Sequence, residues 1–247
     1  MTGTFAINAE NIADVVERVR HHRPRVHCLM NTVVQKFTAD GITAVDAVPS
    51  MTSSMEEIAS FVAKANALTI NLGTLDAERR KVILHAVQVA NGEKKPWIVD
   101  PVHCDYSPSR LAFAQQLLAL SPTIIRGNAA EMALFEETGN SLRIQTGPQD
   151  HLSIGKRSVR ISNGHPWMAK VTGTGCLSGG VIAAFMAVEP DPLLAASAAL
   201  CVTGIAAQLA ATYANGPGTF EPAFLDALSA ISRQDIITHA RIEHDEG

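Results

Sequence analysis

Val171-Thr-Gly-Thr-Gly-Cys-Leu-Ser-Gly-Gly180 runs directly into the apolar stretch 181–188. Glycine has no Cβ, so the backbone at Gly173 and Gly175 can turn sharply and present successive N–H groups outward. The first N–H groups of the helix that follows have no partner inside it, and the helix dipole adds partial positive charge there. Gly173, Thr174 and Gly175 therefore suit an anion such as a phosphate. Cys176 sits where that field is strongest, so its thiol is expected to ionise more readily than a free one. A Gly-rich turn ahead of a packed helix would carry the same residues, and the rest of the chain decides between the two.

The elements that must position such a site follow a regular order. Apolar residues at Ile12, Val15, Val16 and Val19 predict a helix over 12–20, closed by Pro24. A buried strand over 26–30, a helix over 33–44 and a short extended piece at 49–51 follow. Ser54 with Glu57 reads as a capping box for a helix to about residue 64. Residues 67–72 read as a strand, and Thr74 or Asp76 caps a helix over 77–90 that Asn91-Gly92 ends. Strands at 97–100, 123–125 and 142–146 alternate with helices at 108–120 and 129–137. A hairpin is expected with 153–154 and 158–161 on either side of Gly155-Lys156. After the Gly-rich loop come two apolar helices, Asn215-Gly-Pro-Gly218 and a last helix over 221–232.

This alternation predicts an α/β fold, a central and mostly parallel sheet with helices on both faces. In such sheets ligands bind at the carboxyl ends of the strands. The rule selects Asn31, Gly73, Asp100, Arg126-Gly-Asn128, Thr146-Gly147 and the Gly-rich loop, mostly polar residues or glycine, as a phosphate and metal site needs.

Composition bounds the possibilities. At 247 residues, with 47% hydrophobic and 18% charged, the chain can bury a substantial core, and no linker divides it, so 1–247 reads as a single domain. A net charge of −4 gives no support for nucleic acid or an anionic membrane as partner. The four cysteines, at 28, 104, 176 and 201, have neither CxxC nor metal-ligand spacing and fit free thiols in a reducing cytoplasm. The first twenty residues carry charges throughout, unlike a signal peptide. Residues 192–217 contain no charged side chain, yet their Ala, Ser, Thr and Gly content reads as a helix buried within the protein rather than a membrane span. His27, in a strand, reads as a core histidine with its hydrogen bonds satisfied. His103-Cys104-Asp105 has metal-binding residue types, but no partner cluster is visible for it.

Several stretches, in order, resemble hydroxyethylthiazole kinases, thiazole-salvage enzymes of thiamine biosynthesis with a ribokinase-like fold. They are Asn71-Leu-Gly-Thr74, Asp100-Pro-Val102, Ile125-Arg-Gly-Asn128 with Glu131, Asn163-Gly-His-Pro166, Val171-Thr-Gly-Thr-Gly-Cys176 and Gly216-Pro-Gly-Thr-Phe220, together with the region 26–51. The resemblance spans nearly the whole chain. It implies transfer of the ATP γ-phosphate to the hydroxyl of 4-methyl-5-(2-hydroxyethyl)thiazole with Mg2+. It makes Gly173, Thr174 and Gly175 the anion hole, with Gly173 also touching substrate. Cys176 falls where related sugar kinases place an aspartate base. Asp100 and Glu131 become candidates for Mg2+ and its waters, Arg126, Asn128 and Thr146 for ATP, and Met51 and Asn31 for the thiazole. A salt bridge from Arg126 to Glu131 is the structural alternative for that arginine, and His165 reads as part of a structural turn. The resemblance also implies a homotrimer with sites at subunit interfaces.

Two stretches depart from the pattern. His103-Cys-Asp-Tyr-Ser107 stands where these kinases carry a segment close to Gly-Val-Gly-Ala-Thr, and side chains replace bare backbone there. The helix at 129–137 is followed almost at once by the strand at 142, so a covering helix is missing. These features keep open a catalytically weakened paralogue that binds nucleotide or thiazole as a sensor. A kinase for another heteroaromatic alcohol, such as a hydroxymethyl-pyrimidine or a pyridoxal-like compound, is a further alternative, against which Cys176 in place of aspartate argues.

Overall fold

The computed structural model describes residues 6–244, and the first five residues of the N-terminal stretch discussed above lie outside them. Helix α1 (Ala9–His22) is capped by the Asn8 side chain, which accepts the Asn11 N–H at 2.9 Å. It leads into β1 (Arg25–Leu29), α2 (Gln35–Ala44), β2 (Val48–Ser50) and α3 (Ile58–Lys64). Then come β3 (Ala67–Asn71), α4 (Ala77–Gly92), β4 (Trp97–Asp100), α5 (Pro108–Leu118), β5 (Ile124–Asn128) and the single-turn α6 (Ala129–Met132). Strands β6 (Leu142–Thr146), β7 (Asp150–Ile154) and β8 (Arg157–Ile161) precede a 3₁₀ turn at Pro166–Lys170. The chain continues through α7 (Thr174–Met186), α8 (Pro192–Ala211), α9 (Pro217–Ala230), α10 (Arg233–His239) and β9 (Ile242–His244).

Among the described residues the strands form one sheet of nine, in the order β2-β1-β3-β4-β5-β6-β7-β8-β9. The six strands from β2 to β6 run parallel, and β7, β8 and β9 add an antiparallel edge. Strand residues alternate between two cores, as a period of two requires. Ala67, Ile98 and Ile124 pack with α1, α2, α7, α8 and α9 on one face. Leu68, Ile70, Trp97, Val99 and Ile125 pack with α3, α4 and α5 on the other.

Helices α7 and α8 are apolar on every side because each is enclosed on nearly every side. Helix α8 is long and apolar enough to cross a membrane, but 89% of its most apolar window is buried inside the protein, as expected for a core helix. Gly180 brings α7 against α2: a Cβ there would lie 2.8 Å from Thr38 and 2.9 Å from Ile42.

The structure corrects several boundaries. Ser54 and Glu57 do not form a capping box: the Glu57 carboxylate accepts the Thr52 hydroxyl at 2.7 Å, and α3 begins only at Ile58. Asp76, not Thr74, caps α4, accepting the Arg79 N–H at 2.7 Å. The helix expected over 129–137 is one turn, and β5 extends to Asn128. Arg126 and Asn128 are therefore strand residues rather than loop residues. The crossover from β5 to β6 still runs parallel without a second helix, because Met132 and Phe135 are buried over the sheet in its place. The helix α10 and the strand β9 were not read from the sequence.

Candidate active site

Alternation along the strands decides which side chains meet. Asn71 lies two residues past Thr69, Asp100 two past Ile98, and Arg126 two past Ile124, so all three face the layer that contains α7. Parallel register sets Asn71 beside Asp100. Above them comes the N-terminus of α7. Gly173 is its N-cap residue at φ 96°, a conformation that glycine adopts without strain. The Leu177 N–H donates to the Gly173 carbonyl at 2.8 Å, which leaves the Gly175 and Cys176 N–H groups for an incoming anion. Thr174 is buried and its hydroxyl donates to the Val171 carbonyl at 2.8 Å, so its side chain braces the turn and only its backbone faces the site.

The Arg126 guanidinium runs beneath this terminus. A Cβ on Gly175 would stand 3.6 Å from its Nη2, and one on Gly179 would stand 3.7 Å from its Cδ. Arg126 pairs with Asp100 at 2.7 Å, not with Glu131. Glu131 instead accepts the His103 N–H at 2.6 Å and the Asn128 N–H at 2.8 Å, and the Asn128 side chain caps α6 in return. Burial pushes the Asp100 carboxyl above its ordinary range, against the pull of Arg126, and Glu131 adds to the upward push.

Cys176 is half-buried, and its thiol is pushed up to about 11. Desolvation is the main cause, the Asp100 carboxylate adds to it, and Arg126, Asn71 and Asn31 oppose it. This corrects the expectation of a readily ionised thiol, since burial and the Asp100 carboxylate outweigh Arg126 and the two asparagines.

The remaining expected residues spread outward from this centre. Asn31 follows β1 and contacts both Asn71 and Cys176. Thr146, at the end of β6, donates its hydroxyl to the Gly127 carbonyl at 3.2 Å. Met51 lies one strand further out, past β2, half-buried against the larger core. His27 is fully buried, with ring nitrogens 2.9 Å from the Ser50 hydroxyl and 3.0 Å from the Thr52 carbonyl, as a core histidine should be.

Arg79 carries no signal in the sequence beyond its place in a first helical turn. Asn71 opens the Asn71-Leu-Gly-Thr74 stretch of the family resemblance, which assigns it no role of its own. Asp150 closes Thr146-Gly-Pro-Gln-Asp150, a Thr-Gly-x-x-Asp pattern that the resemblance puts on the nucleotide side; it starts β7 and accepts the Gly147 N–H at 3.0 Å. Burial raises its carboxyl to about 6.

The hydroxyethylthiazole kinase family model matches residues 16–143 and 136–234. A probable hydroxyethylthiazole kinase of Agrobacterium fabrum is 69% identical over 247 residues, covering all of both chains. The chain belongs to the hydroxyethylthiazole kinase family. A solved hydroxyethylthiazole kinase from Pyrococcus horikoshii superposes with a TM-score of 0.92 at 34% identity, over 95% of this chain and 99% of that one. A ribokinase-like superfamily protein from Enterococcus faecalis, 14% identical, shares the fold with a TM-score of 0.64 over 94% of this chain and 92% of its own. The fold is ribokinase-like.

In this hydroxyethylthiazole kinase family member, the loop that replaces the expected Gly-rich segment turns back on the site. His103 has φ 54° and stacks on Tyr106 at 5.4 Å. The donor atoms of His103, Asp105 and Glu131 lie within 4.8 Å of one another. Glu131 is thus the partner that the sequence did not reveal for His103 and Asp105. Cys104 turns away into the smaller core.

Proposed function

We propose that the chain transfers the γ-phosphoryl group of ATP to the primary hydroxyl of 4-methyl-5-(2-hydroxyethyl)thiazole, with 1–247 acting as a single kinase domain. The observation that carries this reading is the convergence of Cys176, Asp100 and Arg126 on the Gly173 turn of α7, in a chain of this family.

In this reading the Gly175 and Cys176 N–H groups and the Arg126 guanidinium receive the transferring phosphoryl oxygens. The alcohol oxygen–phosphorus bond forms as the bond to the ADP oxygen breaks, and the hydroxyl proton passes to Cys176 where it is a thiolate, and otherwise to water. A base whose proton leaves only near 11 gives limited help. Phosphoryl transfer depends chiefly on positioning and on stabilising charge, so such a base suffices. Asn31, Gly173 and Met51 line the alcohol side, and Asn128 and Thr146 the nucleotide side.

Asp100 and Glu131 suit Mg2+ held through its waters. Each of their four oxygens already accepts one hydrogen bond and keeps a second lone pair for a water. Mg2+ supplies charge neutralisation for the phosphates when bound. From its scattered cysteines and composition we also read the protein as cytoplasmic, and on the family resemblance as homotrimeric. Exposed Val48, Met55 and Phe61 around β2 and α3 offer apolar surface for subunit contact.

The test is ADP release by purified protein with magnesium-ATP, with and without the thiazole, and the mass of the product. Thiazole-dependent turnover giving a monophosphate is expected. Binding of either ligand without turnover would replace this reading with that of a sensor on a kinase scaffold.

A further inference from the structure

The Cys176 sulfur is surrounded by a hydrogen-bond network that runs in one direction. The Gly73 N–H donates to Asn71 Oδ1 at 3.0 Å, and the Val33 N–H donates to Asn31 Oδ1 at 3.1 Å. Backbone donors therefore fix both carboxamide oxygens, and each Nδ2 must point the other way. Asn31 Nδ2 reaches Asn71 Oδ1 at 3.1 Å and the sulfur at 3.9 Å, and Asn71 Nδ2 reaches the sulfur at 3.2 Å. Arg79 ties down the backbone beneath the network, donating to the Met30 carbonyl at 2.8 Å and the Asn71 carbonyl at 2.9 Å. Gly73 leaves the room it needs: a Cβ there would lie 2.9 Å from both Asn31 Cβ and Asn71 Oδ1.

A sulfur that receives N–H groups on its protein side can send its own proton only toward the open site. We propose that Asn71, braced by Asn31, is a positioning residue that holds Cys176 as a hydrogen-bond acceptor facing the alcohol and favours its thiolate. The charged groups that face this sulfur are Asp100 at the end of β4, which opposes ionisation, and Arg126 of β5, which favours it. Asn71 adds to Arg126 a donor that is neutral and in contact. The proposal rests on the kinase reading for its consequence in catalysis, but not for its consequence in thiol chemistry.

Two measurements test it on the full-length protein. The first is the pH dependence of Cys176 alkylation by iodoacetamide, with the Cys176→Ala variant as the blank for Cys28, Cys104 and Cys201. Asn71→Leu should move the alkylation profile upward by about one pH unit, a tenfold slower reaction at a fixed pH below the midpoint. Asn71→Asp keeps the shape and should move it further the same way, because a carboxylate replaces the donor. The second is a double-mutant cycle on kcat with magnesium-ATP and the thiazole. Asn71→Leu should lower kcat with KM for ATP unchanged, and should have no further effect in the Cys176→Ala background. An unmoved alkylation profile in Asn71 variants that melt as the parent does would overturn the proposal. So would an undiminished effect of Asn71→Leu on kcat when Cys176 is absent. Absence of thiazole turnover would sink the kinase reading alone, because the alkylation profile still judges the network.

Discussion

The Arg126 guanidinium lies 2.7 Å from the Asp100 carboxylate, with 5% and 10% of their side chains exposed. The pair joins the end of β4 to the middle of β5 directly below the N-terminus of α7. Neither charge can be removed alone without stranding the other in a poorly solvated site.

Arg126→Leu should therefore destabilise the protein by about 3–5 kcal/mol, the usual cost of breaking a buried ion pair. Asp100→Asn keeps an acceptor toward Arg126 and removes a carboxylate that burial already disfavours, so it should cost less. Urea unfolding of both variants at neutral pH checks the order. Equal losses would mean that the pair does not share the site as described.

Much of this geometry follows from what the sequence shows, and the reasons for the rest are specific. The alternation of strands and helices and the carboxyl-end rule brought Asn31, Asp100, Arg126, Thr146 and the Gly173 turn to one edge of the sheet. The partner of Arg126 did not follow from sequence: Glu131 is the nearer carboxylate along the chain, but strand parity puts Asp100 on the same face. Cys176 showed its helix position and not its burial, and burial sets its ionisation. Asn71 was hidden because its role lies in the direction of its amide, which depends on the Gly73 N–H. The strand β9 pairs with β8 far along the chain, a contact that no local pattern encodes.

Asp150 makes stability depend on pH. Its carboxyl titrates near 6 in the folded protein, raised by burial, and near the ordinary carboxylate value when unfolded. The folded state thus holds a proton that the unfolded chain has lost, so stability falls as pH rises from about 4 to about 6 and stays lower above that. Asp150→Asn keeps an acceptor for the Gly147 N–H and removes the penalty. It should gain about 2–3 kcal/mol at pH 8 and almost nothing at pH 4, because each pH unit between the folded and unfolded titrations is worth roughly 1.4 kcal/mol. Denaturation midpoints at the two pH values decide this, and an equal gain at both would show that the carboxylate is not the cause.

Two glycines should respond in opposite directions to alanine. At Gly204, inside α8, a Cβ would lie 2.6 Å from the backbone carbonyl of Asn163, a residue fixed by its side-chain amide, which donates to Gln208 Oε1 and to the His239 carbonyl. Gly204→Ala should cost about 1–3 kcal/mol through overpacking. At Gly92, the last residue of α4, no atom stands within 4 Å of an added Cβ. Gly92→Ala should gain about 0.4–1 kcal/mol by restricting the unfolded chain. Thermal melts of the two variants separate close packing from backbone freedom.

The last prediction concerns Cys176 itself. If its thiolate accepts the alcohol proton, kcat should climb toward alkaline pH, because the fraction ionised grows about tenfold per pH unit until it nears 11. Cys176→Asp places a carboxylate where the sulfur stood, and the N–H groups of Asn31 and Asn71 would donate to it as well. A carboxylate ionised throughout the neutral range should keep or raise the rate at pH 7 and flatten the profile between about pH 6.5 and 9. Cys176→Ala should be slow at every pH and flat, since water then takes the proton. Full pH profiles of kcat for the three proteins are the measurement. A rise with pH that survives in Cys176→Ala would assign the titrating group elsewhere, and Cys176 would then fill space without handling the proton.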